Sequence, residues 1–291
     1  MTEHEIDERA VKKCLDRLVK TFDARYLASD PLEFVHKYDD PADQEVVGLI
    51  ASSFAYGRVD GIKRSVSAIL EAMGASPARF TTRFDPAKGR SFLSGFKHRF
   101  NDSKDVSCLI YFARQMIESC GSIGEFFIKG YSPSDQNIKT ALSMFVTDAL
   151  SLDHGGIYGT KRLPARAGVR FFFPNPQDAS PCKRLNLYLR WMARPNDSVD
   201  LGLWKKVSPA KLVIPVDTHI ARISRLIGLT ERNGADWKSA EEITASLARF
   251  DPADPVKYDF ALCRLGILDQ CPSRRDDKKC ARCEIRGICV M

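Results

Sequence analysis

The side chains best suited to hold an inorganic centre crowd together near the end of the sequence: Cys271, Cys280, Cys283 and Cys289, separated by eight, two and five residues. Four thiolates in so short a segment can wrap a compact metal centre, and all-cysteine ligation suits a 4Fe-4S cluster or a structural zinc ion. Common zinc modules pair two close Cys or His doublets across a spacer. This tail has a single doublet, Cys280 and Cys283, so the spacing favours iron-sulfur, with zinc as the alternative. The other five cysteines, Cys14, Cys108, Cys120, Cys182 and Cys263, are scattered through apolar or helical segments and read as ordinary buried thiols. Nine is an odd number for a disulfide framework.

Between the first two tail cysteines, PSRRDDKK puts Arg274, Arg275, Lys278 and Lys279 on a loop that a metal centre would anchor at both ends. Cations held that way lose little entropy on meeting a phosphate, so these four are expected DNA-binding residues. The plainer alternative is a solvated loop whose charges Asp276 and Asp277 offset. Upstream, IPVDTHIARISRLIGL sets Asp217 ahead of an apolar helical pattern of Ile220, Ile223, Leu226 and Ile227. Asp217 is well suited to cap that helix, and the same geometry exposes a carboxylate beside the helix terminus.

These groups must be positioned by helices, because the apolar spacing is helical almost throughout and period-two alternation is scarce. The expected class is all-α. Residues 5–28 read as one amphipathic helix, with Ile6, Ala10, Leu15, Leu18, Val19 and Phe22 on one face. DPADQEVVGLIASSFAY starts a buried helix at Asp40 and Pro41, and 59–73, 105–120, 136–151, 183–193, 217–228 and 238–249 read as further helices. The longest irregular stretch runs from His154 to Cys182.

A chain of 291 residues with 44% hydrophobic content can bury a large core or two ordinary ones. Its net charge of +7 is uneven: residues 161–225 hold 13 Lys and Arg against 4 Asp, a local +9 that leaves about −2 elsewhere. With Phe171, Phe172, Phe173, Tyr188, Trp191 and Trp204 interleaved, this stretch fits a polyanion-binding face, the alternative being a solvated basic surface. The opening MTEHEIDERAVKKC is charged and lacks a leader pattern, and no apolar run is long enough to span a bilayer. The expectation is a cytoplasmic protein without membrane contact.

Val216, Asp217, Thr218, His219 and Ile220, followed by Arg222 and by Leu226, Gly228 and Leu229, resemble the helix after the hairpin in endonuclease III and its adenine-glycosylase relatives. That family also ends in four cysteines, spaced six, two and five against eight, two and five here. The likeness is densest over the C-terminal segment and extends more loosely to IASSFAYGRVDGIKRSVSAIL, which resembles the family's early barrel helix. The chain as a whole, including Ser180 to Asn186 (SPCKRLN), is similar to a divergent bacterial branch of the superfamily, the DUF2400-like proteins.

The resemblance implies a two-lobed helix-hairpin-helix (HhH-GPD) fold. Residues 41–212 would form the helical barrel with the hairpin, and 1–40 with 213–291 the lobe holding the 4Fe-4S cluster on Cys271, Cys280, Cys283 and Cys289. DNA, as a duplex with a damaged or abasic site, would lie in the cleft of a monomer associated with the nucleoid. Lys183 matches the lysine of the bifunctional members and Asp217 the aspartate facing it, so these are the expected catalytic residues. Lys183 would attack the sugar anomeric carbon as an amine, with Arg184 beside it favouring loss of its proton, and Asp217 would stabilise the charge developing on the sugar. Arg58, Arg184, His219 and Arg222 join the cluster loop as expected DNA contacts, and Phe54, Tyr56 and Arg58 lie where relatives fill or prop the vacated base stack, with core packing the favoured role for Phe54.

The implied activity is a base-excision N-glycosylase acting on a flipped-out altered base, with abasic-site lyase activity if Lys183 is the nucleophile. The alternatives are a non-catalytic DNA-structure binder on the same scaffold and a zinc-stapled helical module. Two departures from the family stand out. The Leu-Pro-Gly-Val-Gly hairpin is replaced by FPNPQDASPC, which has no glycine, and Lys183 and Asp217 are 34 positions apart, wider than in typical relatives.

Overall fold

Asp40 accepts a hydrogen bond from the Ala42 N–H at 2.9 Å, and Pro41 takes the first helical position, where an N–H has no partner anyway. The helix so started, Pro41–Ser53, is buried along most of its length and forms the centre of the protein. Gly48 lets a second helix, Lys183–Ala193, lie directly on it: a Cβ at this position would come within 2.7 Å of Met192 and 3.0 Å of Tyr188. The structure, a computed structural model, describes residues 7–89, 91–195, 197–268 and 270–290.

In chain order the helices are α1 (Glu8–Thr21), α2 (Pro41–Ser53), α3 (Val59–Met73), α4 (Pro77–Thr82), α5 (Ser103–Cys120), α6 (Ile123–Ile128) and α7 (Lys139–Ser151). There follow α8 (Gly155–Tyr158), α9 (Lys183–Ala193), α10 (Thr218–Leu226), α11 (Trp237–Ala248), α12 (Asp259–Ile267) and α13 (Asp277–Ala281). The sheet among the described residues is one small antiparallel hairpin, β1 (Lys97–His98) with β2 (Asn101–Asp102), so the chain is mostly helical as its periodicity requires. No described helix is long and apolar enough to cross a membrane.

Two expectations need correction. The helix read over 5–28 stops at Thr21: Phe22 leaves helical geometry and Asp23 caps a 3-10 turn, Ala24–Ser29, by accepting from the Arg25 N–H. Glu5 and Ile6 lie outside the described residues. The stretch from His154 to Cys182 is not structureless either. It holds α8 and the 3-10 turns Gly168–Phe172 and Pro176–Asp178, with Val169 and Phe172 buried in the core.

One apolar cluster runs from Val11 to Ile285. Its termini meet: α1 packs Val11, Leu15 and Leu18 inward beside α12 and the last turn, while Cys14 Sγ and Arg17 Nη2 donate to the Glu284 carbonyl at 3.2 and 2.7 Å. α10 lies on α12 at Gly266, where any Cβ would collide with the His219 ring.

A buried ion network fixes α9 against its neighbours. Arg190 pairs with Asp200 at 3.2 Å and with Asp259, Arg194 pairs with Asp197, Asp200 and Asp254, and Arg264 pairs with Asp30 at 2.8 Å. Such pairs need not be better than apolar packing, but removing one partner strands a charge in the interior and costs about 3–5 kcal/mol.

Candidate functional site

Lys183 and Asp217 border one cavity of about 630 Å³, in the size range of ligand sites. Each arrives at a helix start. Lys183 is the first residue of α9, half-buried, and its Nζ donates to the Ala55 carbonyl at 3.0 Å, in the turn after α2. Asp217 caps α10: its Oδ1 accepts from the His219 and Ile220 N–H groups, both at 2.9 Å. The cap uses Oδ1, so the carboxylate is held by the helix while bordering the cavity.

Apolar walls come from Pro31, Ile62, Leu187 and Pro215, and the rim carries Arg58, Thr218 and His219. The interior also exposes groups that the sequence reading missed: Asp259, Arg190, Arg264, Asp30 and Cys263. Burial pushes Asp259 up to about 6, with the Arg190 guanidinium opposing and the Asp217 carboxylate adding to the rise. Burial likewise pushes the Cys263 thiol up to about 12, the neighbouring Asp217 adding to it, so this cysteine stays protonated at neutral pH. Asp259 sits at a helix start, where an aspartate ordinarily reads as a cap; only its burial against Arg190 reveals it as a second carboxylate of the cavity.

The expected DNA-binding residues divide. Arg58 is exposed at the N-terminus of α3, and His219 lines the cavity against Gly266. Arg184 is a correction. It is buried, its Nη1 donates to the Ser53 carbonyl at 3.3 Å and its Nη2 to the Phe171 carbonyl, and its guanidinium stacks 3.6 Å above the Phe171 ring. Burial pulls it down to about 10, so it remains a cation at neutral pH, tied to the carbonyls of Ser53 and Phe171.

Arg222 turns to the tail: its Nη1 donates to Cys271 Sγ at 3.1 Å and to the Pro272 carbonyl at 2.7 Å, and its Nη2 to the Cys271 carbonyl at 2.6 Å. Its donors brace the tail. Arg274 and Arg275 are exposed in the segment before α13 and Lys278 and Lys279 on α13 itself, not on one loop as expected, with Arg275 paired to Asp277 at 3.1 Å.

The stretch 161–225 divides: Lys161, Arg162, Arg166, Lys205 and Lys206 are exposed, whereas most of its aromatic rings and three of its arginines are interior. Phe172, Phe173, Tyr188, Trp191 and Trp204 are buried, as are Arg184, Arg190 and Arg194, because helix α9 is enclosed on all sides and its cations find internal partners. Phe54 is fully buried as well and packs as core.

Of the expected aromatics Phe171 does reach the surface, where it pairs with Phe100, which lies outside that stretch. Phe100 at the turn of the β-hairpin is 56% exposed and Phe171 is 36% exposed, their ring centroids 4.4 Å apart. Tyr56 supports both from below, at 5.6 and 4.8 Å, and burial pushes its hydroxyl up to about 12. The hairpin is fastened by Tyr56 Oη donating to Asn101 Oδ1 at 2.5 Å and by His98, whose Nε2 meets the Tyr56 carbonyl at 3.0 Å and whose Nδ1 meets Ser65 Oγ at 2.7 Å. Beside it a cleft of about 700 Å³ is lined by Arg58, Arg64, Lys97 and Arg99, with Asp60 as its acid, and it shares Gly57 and Arg58 with the Lys183 cavity. No apolar period marks so short a hairpin, which is why the sequence reading passed over it.

All four tail cysteines border a separate cavity of about 370 Å³, Cys271 buried and the other three half-buried. Burial, with the other tail thiols near by, pushes Cys283 up. Among the described residues no three His, Cys, Asp or Glu side chains converge to hold a single ion. A tetrahedral zinc would draw its sulfurs to about 3.8 Å of one another, from Zn–S bonds of about 2.3 Å. An all-cysteine lining has the donor chemistry of either a 4Fe-4S cluster or a structural zinc, and one Arg222 N–H donates to Cys271 Sγ.

A family model described as "Protein of unknown function (DUF2400)" matches residues 30–268, a span that contains Lys183 and Asp217 and ends just before Cys271. No curated protein and no solved structure matches the chain.

Proposed function

The chain belongs to the DUF2400 family, and from that premise we propose that it is a DNA N-glycosylase that excises an altered base, with Lys183 and Asp217 as its catalytic pair. The observation that supports this reading most is that these two residues, 34 positions apart in the chain, border one cavity with an apolar wall and a cationic rim. A flipped base enters such a space against Ile62, Leu187 and Pro215. Arg58, Arg64, Lys97 and Arg99 in the adjoining cleft meet the phosphates, and Phe100 meets the base stack.

In this mechanism Asp217, held by the N-terminus of α10, faces the sugar as positive charge develops on it and the base departs. Lys183 exchanges the Ala55 carbonyl for the sugar, passes one ammonium proton to the departing base, and forms a bond from Nζ to the anomeric carbon as the bond to the base breaks. The sugar ring then opens: the bond from the anomeric carbon to the ring oxygen breaks, that oxygen takes a second proton from Nζ, and the Schiff base left behind permits strand cleavage. Cys271, Cys280, Cys283 and Cys289 would hold a 4Fe-4S cluster, which when bound supplies a rigid brace for the segment of Arg274, Arg275, Lys278 and Lys279.

Borohydride trapping on an abasic-site duplex, with anaerobically purified protein and a Lys183→Ala control, tests the reading. A covalent adduct that the control abolishes is the expected result. No adduct, together with no base release from a panel of oxidised, deaminated and alkylated duplexes, overturns it.

One observation favours a second reading, a DNA-structure binder without excision. Lys183 is preceded by Ala179, which ends the 3-10 turn Pro176–Asp178, and by Cys182, which adjoins α9, both at positive φ, 59° and 47°, so the phosphate-cradling glycine hairpin of the resembled family is replaced by strained non-glycine backbone. Tight lesion binding without base release identifies that case.

A further inference from the structure

We propose that a second cavity, formed by α4, the segment from Arg83 to Lys88, and Ser91 with Phe92, binds a nucleotide unit, its base against phenylalanine rings and its phosphate on a cationic rim. The cavity is about 680 Å³ and shares no lining residue with the Lys183 cavity, so the inference does not rest on the glycosylase reading.

Its floor is aromatic. Phe80, Phe84 and Phe92 form a closed triad with ring centroids 5.2, 5.7 and 5.8 Å apart, and Phe80 and Phe92 are only half-buried, which leaves ring surface facing the cavity. Flat aromatic surface in a space of this size accepts a flat ring, since stacking tolerates any base.

Its rim is basic. Arg79, Arg83 and Lys88 all line the cavity and are all exposed, and among the described residues none forms an ion pair. Arg79 and Arg83 are four residues apart across the end of α4, where like charges repel unless an anion lies between them. The acid on the rim, Asp85, uses Oδ1 to cap the turn Pro86–Lys88 by accepting from the Ala87 N–H at 2.9 Å. Three unpaired cations beside a half-open aromatic wall therefore suit a ligand that joins a phosphate to a planar ring. A phosphate alone would leave the rings uncovered, and a nucleoside alone would leave the arginines repelling each other.

The shared chemistry comes from two sources, a free nucleotide or an unpaired nucleotide in a DNA strand. Calorimetric titration of the full chain with dAMP, deoxyadenosine, inorganic phosphate and a single-stranded (dA)8 separates them, repeated with an Arg79→Ser/Arg83→Ser variant whose thermal midpoint is checked. A saturable dAMP isotherm at least about tenfold tighter than deoxyadenosine or phosphate, and lost in the variant, supports a free-nucleotide site. An (dA)8 isotherm much tighter than that of dAMP, and weakened about tenfold in the variant, supports the strand as the source. Phosphate binding as tightly as dAMP, or a folded variant that binds dAMP and (dA)8 as the parent does, overturns the proposal, as does the absence of saturation by either probe.

Discussion

The guanidinium of Arg222 donates to Cys271 Sγ at 3.1 Å, so the helix that Asp217 caps is fastened directly to the first cysteine of the tail. With Cys271 as the proposed thiolate ligand, loss of that donor would remove a hydrogen bond to a charged sulfur, an interaction of about 1.5–3 kcal/mol. Arg222→Ala purified anaerobically is expected to retain less iron and labile sulfide per chain than the parent, and Arg222→Lys an intermediate amount. Zinc in place of iron in the parent protein would sink the iron-sulfur assignment.

Asp217 combines a structural duty with a proposed chemical one, and two substitutions separate them. Asparagine accepts the same backbone N–H groups as a cap, whereas alanine loses them at about 1 kcal/mol. Asp217→Asn should keep the thermal midpoint of the parent while excision falls by about a hundredfold or more. Asp217→Ala should lose both. Parental excision rates in Asp217→Asn would remove this residue from the chemistry.

Phe100 offers the largest exposed aromatic ring of the protein at a hairpin turn beside a four-cation cleft. Truncation at an exposed site leaves the fold alone. Phe100→Ala should therefore weaken binding to abasic duplex by about 1–3 kcal/mol, the worth of one base–aromatic stack, with an unchanged thermal midpoint. Equal affinities measured by fluorescence anisotropy would show that the ring does not meet the bases.

His98 makes the hairpin sensitive to acid. Burial, opposed by its bond to the Tyr56 carbonyl, holds the imidazole below its ordinary value of 6.5. Above 6.5 the ring is neutral in both folded and unfolded chains, and below it the unfolded chain takes up a proton that the folded chain resists. Stability contributed by the neutral ring is therefore present above that pH and is lost as pH falls through it. The thermal midpoint should drop between pH 7.5 and 5.5, and His98→Gln should flatten the drop. Parallel curves for the two proteins would assign the acid sensitivity elsewhere.

Much of the helical frame is readable from the sequence because apolar spacing and caps act locally: 59–73 and 183–193 match α3 and α9 residue for residue, and Asp40 and Asp217 cap where their neighbours require. Long-range partners left no such mark. Arg184, Arg190 and Arg194 look like a basic surface until Phe171, Asp200, Asp254 and Asp259 are brought to them from other segments. Arg222 looks like a phosphate contact until Cys271 arrives from 49 positions away. Lys183 and Asp217 were singled out by resemblance, and what the sequence lacked was the company they keep: Asp259, Cys263 and Arg264 from α12, a helix whose nearly uniform burial hides its period.

The closure of α1 onto Glu284 has a consequence for the order of events during synthesis. The first helix leaves the ribosome long before the segment that completes its seat has been made. Until then Val11, Leu15 and Leu18 have no finished surface to cover them. The nascent chain must carry an uncovered apolar stripe until the segment around Glu284 has been made, an opening for a chaperone and a hazard when elongation stalls.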